Sequence, residues 1–152
     1  MKSYNKPTYP PGGAWDKRLT GAACDNLLPV ETIHENDWFV VRNRGGYFTL
    51  EYHMPQVMIL PVVGKRSILM ARVKRPVVND ATLELPAGGL QKGEDAVDAA
   101  QRELAEETGI FIEDKSRFRP MPPVSVYPTR NPNLAYVFQV DITDEEFEIR
   151  NP

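Results

Sequence analysis

The sequence predicts a mixed α+β domain, and three observations carry that prediction. Seven short apolar or alternating runs are separated by Gly-, Pro- and Asn-rich breaks. One stretch near residues 94–108 has helical composition and spacing, and no second helix is comparably clear. The chain has 152 residues with 41% apolar and 26% charged side chains, which suits one folded domain with its own core.

Taken in order, the start carries Pro7, Pro10 and Pro11 followed by Gly12 and Gly13, and residues 1–36 are expected to form a partly flexible arm. "WFVVR" (38–42) and "YFTLEY" (47–52) then read as strands joined by a hairpin turn at Asn43-Arg44-Gly45-Gly46. "VMILPVV" (57–63) is almost wholly apolar, as expected of a strand covered on both faces. Gly64-Lys65-Arg66 turns the chain into "SILMARV" (67–73), and "TLEL" (82–85) is a short strand stopped by Pro86. The helix is expected from about Glu94 to Thr108, with Glu94 and Asp95 at the positive end of its dipole and Gly109 closing it. "VSVY" (124–127) and "LAYVFQVDI" (134–142) are expected as strands around the loop "PTRNPN".

Composition also narrows the functional classes. The net charge is −3, so nothing draws the chain generally to nucleic acid or an anionic membrane; basic residues gather only at Lys65–Arg66 and at Arg72, Lys74 and Arg75. Cys24 is the single cysteine, which rules out an intrachain disulfide and fits a small core residue in a reducing compartment. No apolar run is long enough to span a bilayer, and "MKSYNKPTYPPGG" has no apolar signal core. The expectation is a cytoplasmic protein with no nucleic-acid or membrane partner.

The unusual feature is "LPAGGLQKGEDAVDAAQRELAEETGI" (85–110), which places Glu103, Glu106 and Glu107 within five residues. At about 100° per residue, Val97, Ala100 and Leu104 form an apolar stripe, with Glu103 and Glu107 together on its flank and Glu106 further round. Two anions beside a core repel and gain little from water, and a hard divalent cation such as Mg²⁺ would relieve them. The plain alternative is a solvated acidic face partly offset by Arg102. The preceding loop favours the first reading. "PAGGLQKG" has three glycines in eight residues, so Gly88 and Gly89 let the backbone approach a ligand closely, and its carbonyls are available as metal ligands.

These residues resemble the signature of the Nudix hydrolases. Gly88, five residues, Glu94, seven residues and then "RELAEETGI" agree at nine constrained positions: Gly88, Glu94, Arg102, Glu103, Leu104, Glu106, Glu107, Gly109 and Ile110. The resemblance implies an α/β/α sandwich with a mixed sheet over residues 37–152, preceded by an N-terminal strand region. It implies hydrolysis of a nucleoside diphosphate linked to another group, with Mg²⁺ or Mn²⁺ as cofactor. It makes Glu103, Glu106 and Glu107 the metal-binding and catalytic carboxylates, adds the Ala87 carbonyl as a backbone ligand, and makes Glu94 and Arg102 the pair that braces loop and helix.

More loosely, residues 30–142 resemble the ADP-ribose and ADP-sugar pyrophosphatase branch, in which an N-terminal strand region exchanges across a homodimer. By that analogy Trp38 or Phe39 stacks on a base, Lys74 or Arg75 meets phosphate, Arg130 lies in a substrate loop and His53 reaches a partner's site. A strand Trp and Phe are also ordinary core residues, and a basic strand end is ordinary surface. Two departures stand out. The loop "YPTRNPNLAY" offers no carboxylate before Asp141, which weakens the case for ADP-ribose in particular. The family's fold normally continues past a strand like "LAYVFQVDI", so C-terminal elements are expected to be missing, with Glu145, Glu146 or Glu148 as substitutes for a further carboxylate. The rival class is a binding or regulatory Nudix domain that holds a nucleotide without cleaving it.

Overall fold

The structure, a computed structural model, describes Cys24 and residues 26–150. Most of the expected flexible arm, including Pro7, Pro10, Pro11, Gly12 and Gly13, lies outside the described residues. The architecture is α+β, with ten strands and a principal helix among the described residues. The chain divides into two units, residues 1–55 with 122–136 and residues 56–121 with 137–152.

The first unit is built on an antiparallel sheet of β1 (Val30–Glu35), β2 (Phe39–Arg44) and β3 (Tyr47–Tyr52). β1, with a register shift between Thr32 and His34, falls within the stretch read as an arm. The β2–β3 turn is tighter than the four residues expected. Arg44 pairs with Tyr47, and only Gly45 and Gly46 turn, at φ 57° and 94°. Two positive φ values in succession are what a two-residue hairpin twisting with its strands requires, which is why glycine occupies both. Arg44 is instead a buried strand residue. It joins Arg42 and Thr49 in hydrogen-bonding the Glu51 carboxylate, so the charge buried on this face is met on every side. Asn36 turns β1 into β2 by accepting the backbone N–H groups of Trp38 and Phe39 at 2.9 Å each.

The second unit is organised on β4 (Gln56–Val63), whose residues alternate between buried and half-buried, so one face is fully covered and the other partly. The sheet order is β5 (Ser67–Ile68), β4, β10 (Ala135–Ile142), β9 (Arg119–Val124), with β8 (Ala87–Gly89) also on β4. β5 and β8 share one side of β4, at Val62–Val63 and Gln56–Met58 respectively. Pro61 falls between them, where its missing N–H deprives no neighbouring strand. The run "SILMARV" is not one strand. It breaks at Leu69–Met70 into β5 (Ser67–Ile68) and β6 (Ala71–Arg75), and β6 pairs only with β7 (Asp80–Glu84) in a separate hairpin.

α1 (Ala96–Thr108) packs on β4 and β8 through Ala99, Ala100 and Leu104, with Val97 only half-buried. It starts two residues later than expected: Asp95 is the N-cap and Glu94 stands outside the helix. Gly109 ends it at φ 72°, as its sequence position indicated. "VSVY" is not a strand. β9 is Arg119–Val124, and its Pro120, Pro122 and Pro123 are tolerated because β9 is the last strand in the order. β10 (Ala135–Ile142) is buried at six of its eight positions, and α2 (Asp144–Glu148) follows with a Thr143–Glu146 capping box.

Candidate active site

The acidic helix and the glycine loop meet because β8 delivers Ala87, Gly88 and Gly89 alongside α1. Glu103 is the most enclosed of the three glutamates, at 8% exposure. Its carboxylate lies against the backbone of Gly88. A Cβ built on Gly88 would sit 2.0 Å from Glu103 Oε1 and 2.1 Å from Cδ, so only glycine fits there. Glu107, half-buried, accepts a hydrogen bond from the Ala87 N–H at 3.2 Å. Burial pushes its pKa up, and the neighbouring Glu103 adds to that rise. Glu106 is exposed and touches the site only through Arg102.

Arg102 ties these pieces together. Its guanidinium grips Glu94 with two hydrogen bonds of 2.9 and 3.0 Å and donates to the Gly89 carbonyl at 3.0 Å. The remaining nitrogen donates to Glu103 at 2.6 Å and to Glu106 at 3.2 Å. Glu94 in turn accepts the Gln91 N–H at 2.8 Å, which fixes the far end of the loop. The Arg102 pairing holds the Glu94 carboxyl below its ordinary range. Because Glu94 stands ahead of the helix, Arg102 reaches back along α1 and spans loop and helix.

The fit to a divalent cation rests on donor chemistry. Glu103 and Glu107 supply hard oxygen donors at a place where the Glu107 anion is disfavoured by burial and by its neighbour, so a Mg²⁺ or Mn²⁺ ion suits the pair. Arg102 takes Glu103 Oε1, while Oε2 makes no hydrogen bond to the described residues. As placed, no three His, Cys, Asp or Glu side chains among the described residues gather as a metal-holding group. The neighbouring Arg75 and Glu84 come from the β6–β7 hairpin. Arg75 pairs with Glu84 at 2.6 and 2.8 Å, and Thr82 also donates to Glu84. That pairing holds the Glu84 carboxyl down at about 2. The sequence reading missed Glu84, although the alternation of "TLEL" puts Thr82 and Glu84 on one strand face.

The other candidates are dispersed. Lys74 is exposed and, being next to Arg75 in a strand, faces the opposite way. Trp38 and Arg130 belong to the first unit. Trp38 is in a turn and 73% exposed, so the expectation of a core strand residue fails for it, whereas Phe39 is half-buried. The Arg130 carbonyl accepts the Leu50 N–H, and Asn133 accepts that of Tyr52, which docks the "PTRNPN" loop on β3. His53 contacts the Asn36 carbonyl at 2.8 Å. Glu146 is committed to Arg117 and to its capping box, while Glu145 and Glu148 are exposed. Two cavities of the second unit, ≈ 410 and ≈ 520 Å³, are lined around the β4–β5 turn and α2, and no residue of the glycine loop or α1 lines either.

The model of the NUDIX domain matches residues 52–152, more than half of the 152-residue chain. This chain belongs to the Nudix family. Among solved structures it is similar to one described as "Crystal structure of ADP compounds hydrolase", with a TM-score of 0.54 and 24% identity over 77% of this chain. That likeness bears on the Nudix fold, and the chain spans 65% of the neighbour's length. Among curated proteins it is similar to the "Methanol dehydrogenase activator" of Bacillus methanolicus, at 39% identity over 61 residues. Those residues make up 40% of this chain and 33% of the activator. No helix among the described residues is long and apolar enough to cross a membrane.

Proposed function

We propose that this Nudix chain is a metal-dependent hydrolase of nucleoside diphosphates linked to another group, with ADP-ribose or a nucleoside diphosphate sugar as substrate. The products are a nucleoside monophosphate and a sugar phosphate. The observation that carries this reading is the pairing of buried Glu103 with half-buried Glu107, braced by Gly88, Ala87 and Arg102, with the Glu107 anion disfavoured until a cation arrives. The neighbour described as an ADP compounds hydrolase supports ADP-linked substrates in particular.

In this proposal Glu103, Glu106, Glu107 and the Ala87 carbonyl hold Mg²⁺ or Mn²⁺. Held there, the metal would supply Lewis-acid polarisation of the diphosphate oxygens and a lowered pKa for a water. Gly88 and Gly89 keep the loop slim enough for the diphosphate to approach. Glu94 and Arg102 fix loop against helix, so the carboxylates need no rearrangement when substrate binds. Arg75 presents N–H groups to a phosphate. A cytoplasmic homodimer belongs to the same reading, with light scattering in solution as its check.

The test is product analysis after incubation with ADP-ribose, ADP-glucose and GDP-mannose in Mg²⁺ or Mn²⁺. Turnover to a nucleoside monophosphate, lost in Glu107→Gln, is the expected result; no turnover above that control overturns it. The rival is a regulatory Nudix domain that binds nucleotide without cleaving it. The likeness to a protein named as a dehydrogenase activator motivates it. It expects metal-dependent nucleotide binding with the ligand recovered intact.

A further inference from the structure

The β6–β7 hairpin places an ion pair beside the Nudix helix in an unexpected register. Arg75 lies directly across from Asp80, and Glu84 lies directly across from Ala71. The cross-strand neighbour of Arg75 is therefore Asp80, an acid at the closest available distance. Yet the guanidinium turns away from Asp80, passes the Val73–Thr82 rung and grips Glu84, with Nε donating at 2.8 Å and Nη2 at 2.6 Å. Asp80 spends its Oδ1 on the N–H of Ala81. Thr82, on the rung between, donates its hydroxyl to Glu84 Oε1 and so aims that carboxylate. The consequence is directional. The arginine is drawn from the hairpin tip toward the end of β7 that leads into Pro86 and Ala87, where its charge and that of Glu84 are both felt by Glu107.

The grip has a free side. Glu84 takes Nε and Nη2 along one edge of the planar guanidinium, and Nη1 makes no hydrogen bond to the described residues. A guanidinium has five N–H donors in a fixed fork, so a side-on pair leaves about three of them, all in an orientation set by the carboxylate. The pair is also open to water, with side chains 49% and 32% exposed. Exposed ion pairs add little to stability, so holding the fold together is a poor account of an arginine that reaches past three rungs of the hairpin with a hydroxyl assisting.

We infer that Glu84 is a positioning residue for Arg75, holding the guanidinium edge-on so that its Nη1 side is presented to a phosphate of a diphosphate ligand bound at the Glu103–Glu107 helix. The inference rests on the proposed nucleoside diphosphate site and adds to it the device that aims its cation. Glu84 touches no ligand and acts only through Arg75.

Calorimetric titration of ADP in the presence of Mg²⁺ tests this without requiring turnover. Five proteins are compared: wild type, Arg75→Ala, Glu84→Gln, the double variant, and Glu84→Asp as the conservative check. Each single change is expected to weaken ADP binding about tenfold, the order of one lost charge-assisted contact. Because Glu84 works through Arg75, the double variant is expected to stay near tenfold and not reach a hundredfold. Glu84→Asp keeps the charge but shortens the reach, and should fall between wild type and Glu84→Gln. Melting temperatures should stay within a few degrees of wild type. Additive losses in the double variant, or unchanged ADP affinity in Glu84→Gln, overturn the positioning role. Failure of wild type to bind ADP overturns it too. Separately, tight ADP binding with the expected cycle but no cleavage of any nucleoside diphosphate sugar would refute the hydrolase reading and leave Glu84's role standing.

Discussion

Gly88→Ala should separate the site from the fold. The added methyl group would lie 2.0 Å from Glu103 Oε1, 2.1 Å from Cδ and 2.5 Å from Oε2, where contacts closer than 3.0 Å force something to move. The shortfall is about 1 Å. Gly88 has no positive φ, so alanine is acceptable to the backbone and the whole conflict is steric. The group in the way is the end of a side chain, which yields more readily than backbone. Glu103 must therefore swing off Gly88 and drag on Arg102, to which it is bonded at 2.6 Å. We expect a stability loss of only ~1–3 kcal/mol, the usual cost of an extra methyl in a packed place. We expect a fall of about a hundredfold or more in turnover, the consequence of misplacing a catalytic group by roughly 1 Å. Gly89→Ala is the comparison for stability alone, since its nearest neighbour is Gln56 Nε2 at 3.3 Å and a slight shift of that amide makes room. Urea unfolding of both variants, with Mn²⁺ titration and turnover of Gly88→Ala, decides the matter. Normal Mn²⁺ affinity and turnover in Gly88→Ala would refute the claim that this glycine exists to seat Glu103.

Three further outcomes follow from the same geometry. Arg102→Ala removes the link between Glu94, the Gly89 carbonyl and Glu103 and leaves half-buried carboxylates without their partner; a loss of ~1–3 kcal/mol by urea unfolding is expected, with Arg102→Lys recovering little of it because a lysine cannot grip Glu94 bidentately. Glu107→Gln removes an anion that burial and Glu103 disfavour, so without metal the variant should melt at or above the wild-type temperature, while the rise in melting temperature on adding Mn²⁺ shrinks or disappears. The Arg117 guanidinium lowers the Glu146 carboxyl from an ordinary 4.5 to about 2, so the pair's contribution is present above pH 4.5 and is lost as pH falls toward 2; Arg117→Ala should flatten the stability–pH curve within that window and leave its shape above pH 5 unchanged.

Features fixed by local chemistry were legible in the sequence. Gly109 closes α1 because a residue at ease at positive φ is needed there, and Gly45–Gly46 announce a hairpin turn for the same reason, although its length was read as four residues and not two. The errors lie where tertiary pairing decided. "SILMARV" is uniform enough to be one strand, but β4 has room for a partner only at Val62–Val63, so β5 stops after two residues and the chain leaves to form the β6–β7 hairpin. "VSVY" has the better strand composition, yet the ladder takes the proline-bearing Arg119–Val124, because an edge strand can do without the N–H groups that proline lacks. Trp38 was read into a strand, with base stacking or the core as its alternatives, but the side chain of Asn36 captures two backbone N–H groups and turns the chain just there.

The candidate site divides along the same line. Glu103 and Glu107 sit four apart on one helix, so spacing alone set them side by side, whereas Glu94 and Arg102 as a bracing pair came from the resemblance to the Nudix signature. Glu84 and Arg75 are also close in sequence, but their partnership depends on a choice that spacing cannot express. The hairpin register offers Arg75 the nearer Asp80, and the arginine passes it for Glu84 because Thr82 has already aimed that carboxylate. Reading the strand parity of "TLEL" would have put Thr82 and Glu84 on one face; only the register brings Arg75 to that face and shows which acid it takes. If Asp80 were the true partner in solution, Asp80→Asn would weaken ADP binding as much as Glu84→Gln does. A near-normal affinity in Asp80→Asn beside a tenfold loss in Glu84→Gln is what the observed pairing requires.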